Sequence, residues 1–409
     1  MYNTVFIIGA VWVEPNSSAA GSRMLQLIEY FQAQGSKIVF GTTAHQNDNS
    51  IDLELLGIEV HKLRLNDTSF DELLLDIDPS IVLFDRYITE EQFGWRVAEK
   101  LPKAVRVLDT EDLHCLRKVR EKQYKLEETF KPSDLLSEEI TKREIAAILR
   151  SDVSLIISKF EMNLLVETFQ ISSSILLYLP FLLGKSIEAI KVPEFEDRID
   201  FISIGNFLHA PNLDSVIALK KSIWPKIKAK LPQANLHIYG AYATQQVKDF
   251  HKPAEGFYVH GFVENQHEVL RNARVILAPL SFGAGLKGKF LDGMLNGCPS
   301  VTTSIGIEGY SDAENWCGAM SNNWDEFASK AVELYRNDSN WKKAQKKGFK
   351  LLQQFDKTVH ESEFTAKLDA ISTVLESHRN QNFMGSLLLH HRLKSTKYLS
   401  KWIEEKNKR

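Results

Sequence analysis

The sequence predicts an α/β protein built from two Rossmann-like, doubly wound domains that face each other across a cleft. Three observations predict it. Short β-rich runs alternate with longer amphipathic runs from the first residues; the alternation breaks once, into a polar stretch, and then resumes; and a glycine-rich segment in the second series lies between a strand and a helix. A chain of 409 residues, 44% hydrophobic and 25% charged, is long enough for two full cores and has the composition of an ordinary soluble globular protein.

Taken in order, "TVFIIGA" reads as a strand, "SRMLQLIEYFQAQG" as a helix ending at Gly35, and "KIVFGTT" as a second strand. "SIVLFDR" (80–86), "AVRVLDT" (104–110) and "VSLIISK" (153–159) continue a parallel sheet. The charged stretch between the last two has apolar residues at helical spacing and reads as solvated helices covering the sheet. After "ISSSILLYLPFL" comes the polar "GKSIEAIKVPEFEDR". New strands then follow at "DFISIG", "NLHIYG", "FYVHG", "RVILAPL" and "PSVTTS", separated by helical segments. The expected division is a first domain over 1–184, a linker over 185–197, a second domain over 198–365, and a crossover helix with a basic tail over 366–409.

Several classes are excluded at this level. A formal net charge of −3 gives no overall attraction to nucleic acid. Cys115, Cys298 and Cys317 are too few and too scattered for a disulfide framework, and no CxxC pair suggests structural zinc. The N-terminus lacks the basic region of a signal peptide and its apolar run is too short to span a bilayer, so a cytoplasmic protein is expected.

The segment "PLSFGAGLKGKFLDGMLNGCPSV" carries Gly283, Gly285 and Gly288 between a strand and a helix. "GAGLKG" has the literal form of a dinucleotide fingerprint, with Glu308 twenty residues past Gly288, but it follows four strands of its domain instead of opening it. "GAGLKGKF" also has the form of a P-loop, but Phe290 replaces the hydroxyl that would hold magnesium. A plain strand-to-helix turn with solvated lysines is a third reading. The neighbourhood favours a fourth: Lys287 and Lys289 flank Gly288 at the positive end of a helix, which suits a diphosphate. Asp292, one turn further on, suits ribose hydroxyls.

"APLSFGAGLKGKFLDGMLNGCPSVTTSIGIEG" resembles the nucleotide-sugar motif of retaining GT-B glycosyltransferases of family four (glycosyl transferases group 1), in the subgroup with a GAGxKxK loop. "SIGNFLHAPNLDSV", "WPKIKAKLPQANLHIYGA" and "VHGFVENQHEVLRNARVILAPL" follow the family's order, and "VEPNSSAAGSRMLQLIEYF" and "LDTEDLHCLRKVRE" extend the similarity into the first half, over roughly residues 1–365. The resemblance implies that the second domain holds a nucleotide-diphosphate sugar and the first an acceptor. Lys287, Gly288 and Lys289 would meet the leaving diphosphate, Asp292 the ribose, and Gly283 and Gly285 would belong to the same nucleotide-binding loop. Asn206 and His209 would line the crevice, and Gly261, Phe262 and Val263 would hold the base. Asp292 is one methylene shorter than the family's usual second Glu, and Ala284 stands where the first Glu of that pair would fall.

In the first domain the resemblance places His114 opposite the donor sugar, although a lone His is more often structural. Asp109, Glu111 and Asp112 are expected to cap a loop and to contact acceptor hydroxyls instead of binding metal. Gly21 would let backbone approach the donor phosphates. Arg23 would face an anion in the cleft or sit in water at a helix start. The tail "HHRLKSTKYLSKWIEEKNKR" interleaves Lys and Arg with Leu393, Tyr398, Leu399 and Trp402, which suits either an anionic lipid surface or a packed helix with a solvated face.

The expected function is a glycosyltransferase of the polysaccharide-biosynthesis kind. It would move a sugar from a nucleotide-diphosphate sugar to a glycan, lipid-linked or other acceptor, with retention and without metal or other cofactor. It would be cytoplasmic or at the inner face of the membrane, with no nucleic-acid partner. The alternatives are an epimerase or phosphorylase of the same fold, or a non-catalytic nucleotide-binding or scaffold relative.

Overall fold

The computed structural model describes residues 2–184 and 191–407. Residues 185–190 of the expected linker and the side chain of Leu393 lie outside the described residues. The first sheet contains β1 (Thr4–Gly9), β2 (Lys37–Thr42), β3 (Glu59–Lys62), β4 (Ile81–Asp85), β5 (Val105–Asp109), β6 (Val153–Ile156) and β7 (Leu176–Tyr178), in the order β3-β2-β1-β4-β5-β6-β7. The second contains β8 (Ile199–Ile204), β9 (Leu236–Tyr239), β10 (Phe257–Gly261), β11 (Ala273–Ala278), β12 (Ser300–Thr302) and β13 (Gly318–Met320), in the order β10-β9-β8-β11-β12-β13. The pairings within both sheets are parallel.

Both faces of these sheets are covered, which explains why their central strands are continuous apolar runs with no polar alternation. In β1, Phe6 and Ile8 join one core with Val82, Phe84 and Leu108, while Val5 and Ile7 join another with Ile28, Phe31, Leu83 and Val107. The second sheet does the same, with Phe201, Val275 and Leu277 on one face and Ile202, Ile204 and Ile276 on the other. β3, β7 and β13 are three or four residues long and lie at or beside sheet edges, too short to give a periodic signal. The strand expected over 80–86 stops at Asp85, because Arg86 turns into the left-handed region (φ 67°) and opens the helix Arg86–Lys100.

The chain returns to the first domain earlier than residue 366. Leu183 and Phe355 already pair backbone to backbone (2.8 Å), and the helix Lys357–Thr373 lies on the first domain. Phe364 stacks on Tyr30 (4.8 Å between ring centres) and meets Phe31 edge-on, and Leu368 and Ile371 are buried in the same core. Their spacing of three and four residues makes one apolar stripe, which only the first domain covers. Arg379 then pairs with buried Asp152 (2.7 Å), which also takes Arg106 (3.2 Å). Against its burial, these two arginines hold the Asp152 carboxyl down at about 2.

The final helix, Phe383–Asn407, packs against the helices Arg86–Lys100 and Glu139–Arg150. Arg96 reaches Ser400 (3.1 Å) and Glu404, and Lys397 reaches Glu99 (2.8 Å). Its outer face leaves Tyr398, Leu399 and Trp402 exposed. Among the described residues, no helix is long and apolar enough to cross a membrane.

Candidate active site in the interdomain cleft

The carboxyl ends of the two sheets enclose a cavity of about 830 Å³ lined by both domains. Its floor depends on glycines. A side chain at Gly240 would put Cβ 2.0 Å from the Gly205 carbonyl oxygen, so β8 and β9 can end this close together only without one.

The loop from Gly283 to Gly288 forms the second-domain wall. Gly285 has a left-handed backbone (φ 64°), and a Cβ there would lie 2.8 Å from Cβ of Asp112 in the other domain. Gly288 opens the helix Gly288–Leu295, and a Cβ there would lie 2.8 Å from Cβ of Ala19, also in the other domain. These two glycines therefore permit domain contact as well as a turn. Lys287 Nζ donates to the Gly285 carbonyl (2.9 Å), and Lys289 Nζ donates to Asn212 Oδ1 (2.8 Å). Burial without a carboxylate partner brings Lys289 down to about 7, and burial also lowers Lys287. Burial raises Asp292 to about 7. Two buried lysines whose burial disfavours their charged forms, beside a helix N-terminus, form a site whose electrostatics are completed by an anion.

Across the cleft, His114 is the first residue of the helix His114–Lys125, with its ring edge-on to Tyr87 and Nε2 3.4 Å from Asp112 Oδ1. Burial brings its pKa down to about 4, against the pull of Asp112, so the ring is neutral at pH 7. Arg117, one turn on, holds Asp112 (Nε to Oδ2, 3.0 Å) and donates through Nη1 to His209 Nε2 of the second domain (2.7 Å). His209 is also brought down to about 4, by burial and then by Arg117. Asn206 reaches the first domain by donating to the Ser17 carbonyl (3.3 Å).

The cleft thus gathers His114, Asp112, Asn206, His209, Phe262, Val263, Gly285, Lys287, Gly288, Lys289 and Asp292, together with Ala284. Four expected residues are elsewhere. Arg23 is buried, paired with Asp109 (2.8 Å) and donating to the Leu179 and Pro180 carbonyls, so it neither faces the cleft nor sits in water. The apolar stripe of its helix turned the guanidinium inward, where Asp109 neutralises it. Gly21 makes room for protein, not phosphate: a Cβ there would lie 2.3 Å from the Glu14 backbone. Gly283 has its carbonyl held by Arg120 (2.8 Å), and Gly261 makes the left-handed turn (φ 80°) that leads into Phe262; neither lines the cavity.

Sequence reasoning missed the side chains that hold the glycine loop from the opposite domain. Arg120 also pairs with Glu308 through both terminal nitrogens (2.7 Å each), while Phe130 and Phe160 flank its guanidinium. Glu308, the residue a dinucleotide reading would assign to ribose, is therefore occupied by a domain contact. Glu161 Oε1 accepts from Leu113 N–H (3.0 Å) and from Gly285 N–H (2.8 Å), joining the His114 turn to the glycine loop. Burial raises Glu161 to about 8 and Glu144 to about 7. Glu144 caps the same turn, accepting from the His114 and Cys115 amides (3.0 and 2.7 Å). Arg117 had a signal, one turn after His114 in "HCLR"; Glu161 had none, since its partners lie 48 and 124 residues away.

Two parallel-sheet domains with a shared cleft at their carboxyl ends, a lysine-bearing loop on one wall and a histidine on the other, define a protein of the GT-B fold. Residues 198–337 match the family model described as glycosyl transferases group 1. Among curated proteins, none matches the sequence. Solved structures of similar fold include sucrose-phosphate synthase from Thermosynechococcus elongatus (12% identity, 90% of this chain and 99% of that one, TM-score 0.67). HepE from Anabaena, in complex with UDP and glucose, is also similar (11%, 90% and 100%, TM-score 0.63). So is a TarM mutant from S. aureus in complex with fondaparinux, alpha-GlcNAc-glycerol and UDP (9%, 89% and 99%, TM-score 0.64).

Proposed function

We propose that the protein is a glycosyltransferase that takes a sugar from a nucleotide-diphosphate sugar, held mainly by the second domain, and gives it to a hydroxylated acceptor on the first. The observation that carries this reading is the pair of partly dehydrated lysines beside a helix N-terminus, facing a neutral histidine across one cavity. Breaking the bond from anomeric carbon to phosphate builds positive charge on the sugar and negative charge on the diphosphate. Lys287, Lys289 and the amides opening the helix at Gly288 stabilise the second charge. Neutral His114 offers the sugar a hydrogen-bonding ring without placing a cation beside the developing positive carbon.

UDP in the HepE and TarM complexes supports a nucleoside diphosphate here, and the sugar and glycan ligands named with them support a carbohydrate acceptor. Retention of configuration follows from the family resemblance. No metal is needed in this reading, because the lysines do the work of a cation on the leaving group. The outward Tyr398, Leu399 and Trp402, with Lys401 and Lys406 beside them, support peripheral contact with anionic lipid at the cytoplasmic face. The test is nucleotide release from a panel of UDP-, GDP- and ADP-sugars, with and without sugar acceptors and with EDTA present. Acceptor-dependent, EDTA-resistant release is expected. Turnover without acceptor to an isomeric nucleotide sugar, or turnover only with inorganic phosphate, would replace the reading by an epimerase or a phosphorylase.

A further inference from the structure

Three non-glycine residues that line the cleft hold a left-handed backbone: Arg86 (φ 67°), Glu111 (φ 61°) and Tyr242 (φ 59°). Such a conformation is disfavoured for residues with a Cβ and persists where the surroundings impose it, commonly at functional sites. Tyr242 has an evident structural partner, since its hydroxyl bonds Glu14 of the other domain (3.0 Å). Arg86 and Glu111 differ. They follow the carboxyl ends of the adjacent strands β4 and β5, whose last residues, Asp85 and Asp109, are register partners.

Glu111 is 8% exposed, and its Oε1 has no hydrogen-bond partner among the described residues. A buried, unsatisfied carboxyl oxygen on a strained backbone is doubly unfavourable. Burial raises its pKa well above the ordinary range, and Asp109 adds to this against Arg86 and Arg23. Arg86 bonds Asp85 through Nη1 (3.1 Å) and is itself a lining residue of the cavity. Asp85 Oδ2 accepts from the Ala10 amide (2.9 Å) and Asp109 takes Arg23, and neither carboxylate lines the cavity. Glu111 and Arg86 thus both line the cavity from the first-domain side, together with Ile88, Gln92 and His114.

We propose that Glu111 and Arg86 form an acceptor subsite that reads two neighbouring hydroxyls of a sugar or polyol, the guanidinium donating to one and the Glu111 carboxyl engaging the other. This rests on the transfer reading for its direction, donor opposite and acceptor here, while the binding chemistry stands on the side chains alone.

The test uses Glu111→Gly, which removes the carboxyl and suits the left-handed backbone, and Arg86→Lys, which keeps the charge but not the fork. Binding of methyl α-D-glucopyranoside, methyl α-D-mannopyranoside and methyl β-D-galactopyranoside, with their monodeoxy analogues, is read by ligand-observed NMR on the full chain. At least one parent glycoside is expected to bind, with loss of roughly tenfold or more in either variant and in one deoxy analogue. The thermal midpoint of Glu111→Gly is expected at or above wild type. A lower midpoint would make the carboxyl structural and overturn the proposal, as would equal binding by both variants or no glycoside binding to wild type. Nucleotide release is measured separately. Glycoside binding without release from any nucleotide sugar would sink the transfer reading and spare the subsite; release that is indifferent to Glu111 would do the reverse.

Discussion

Lys289 offers the sharpest test of the diphosphate site. Its ammonium is buried, with the Asn212 amide oxygen as its hydrogen-bond partner among the described residues, and its pKa is brought down to about 7. A bound diphosphate would supply the missing negative charge and restore an ordinary value of about 10.5, so binding takes up protons. At pH 7 the free lysine is about half protonated, and uptake of about half a proton is expected from this group. Its protonated fraction falls from roughly three-quarters at pH 6.5 to about 3% at pH 8.5, and affinity for the nucleotide sugar should fall about 25-fold over that interval. The sign is set by the bound state holding the higher pKa: affinity is strongest below 7 and is lost as pH rises. His114 and His209, at about 4, are neutral throughout and add nothing. Asp292 and Glu161, at about 7 and 8, lose protons in the same window and also weaken anion binding, so the control is Lys289→Met. That variant should bind more weakly with a shallower pH slope, and with Lys287→Ala added it should lose most affinity. Calorimetric titrations in buffers of different ionisation enthalpy measure both quantities. A flat wild-type profile, or the same slope in Lys289→Met, would refute the reasoning.

Three further outcomes follow from the site. His114→Ala should lower turnover sharply while leaving nucleotide affinity nearly intact, because the lysines lie in the other domain; wild-type kcat, or a parallel fall in thermal midpoint and both activities, would show that the ring does not act on the sugar. Arg23→Ala should destabilise by about 3–5 kcal/mol, because it strands the buried Asp109 carboxylate, and denaturant titration showing under 1 kcal/mol would contradict the buried-pair reading. Glu161→Ala should raise the KM for the nucleotide sugar, since Gly285 N–H loses its anchor from the first domain, at a stability cost of roughly 1–3 kcal/mol for the stranded amides. Unchanged KM with only a stability loss would reduce Glu161 to a fold residue.

Much of the second-domain wall was legible because its signal is local. Gly283 to Lys289 lie within seven consecutive residues, and the requirement they meet, a tight strand-to-helix turn with cations at a helix N-terminus, is written at short range. Gly288 and Gly285 were expected to bind the nucleotide, but what a Cβ would strike there is Ala19 and Asp112 of the other domain, which no local pattern contains. Arg23 shows the opposite error. A lone arginine beside a glycine in a helix start looks solvated until β5 places Asp109 beneath it.

By itself the amino-acid sequence determined the alternation of strands and helices, the break between two α/β series and the chemistry of the lysine loop. Hydrophobic periodicity and turn residues act over a few positions, and a doubly covered parallel sheet turns them into uninterrupted apolar strands. Only the tertiary structure decided which charged side chains are exposed to the cleft and which are consumed in building it. It put Arg120 on Glu308, Glu161 on Gly285 and Phe364 into the first-domain core, and it left Glu111 buried with an unpartnered oxygen. These are pairings between residues tens to hundreds of positions apart. Their energies depend on burial and on the direction of the side chain, and neither exists until both sheets have formed and closed on one another.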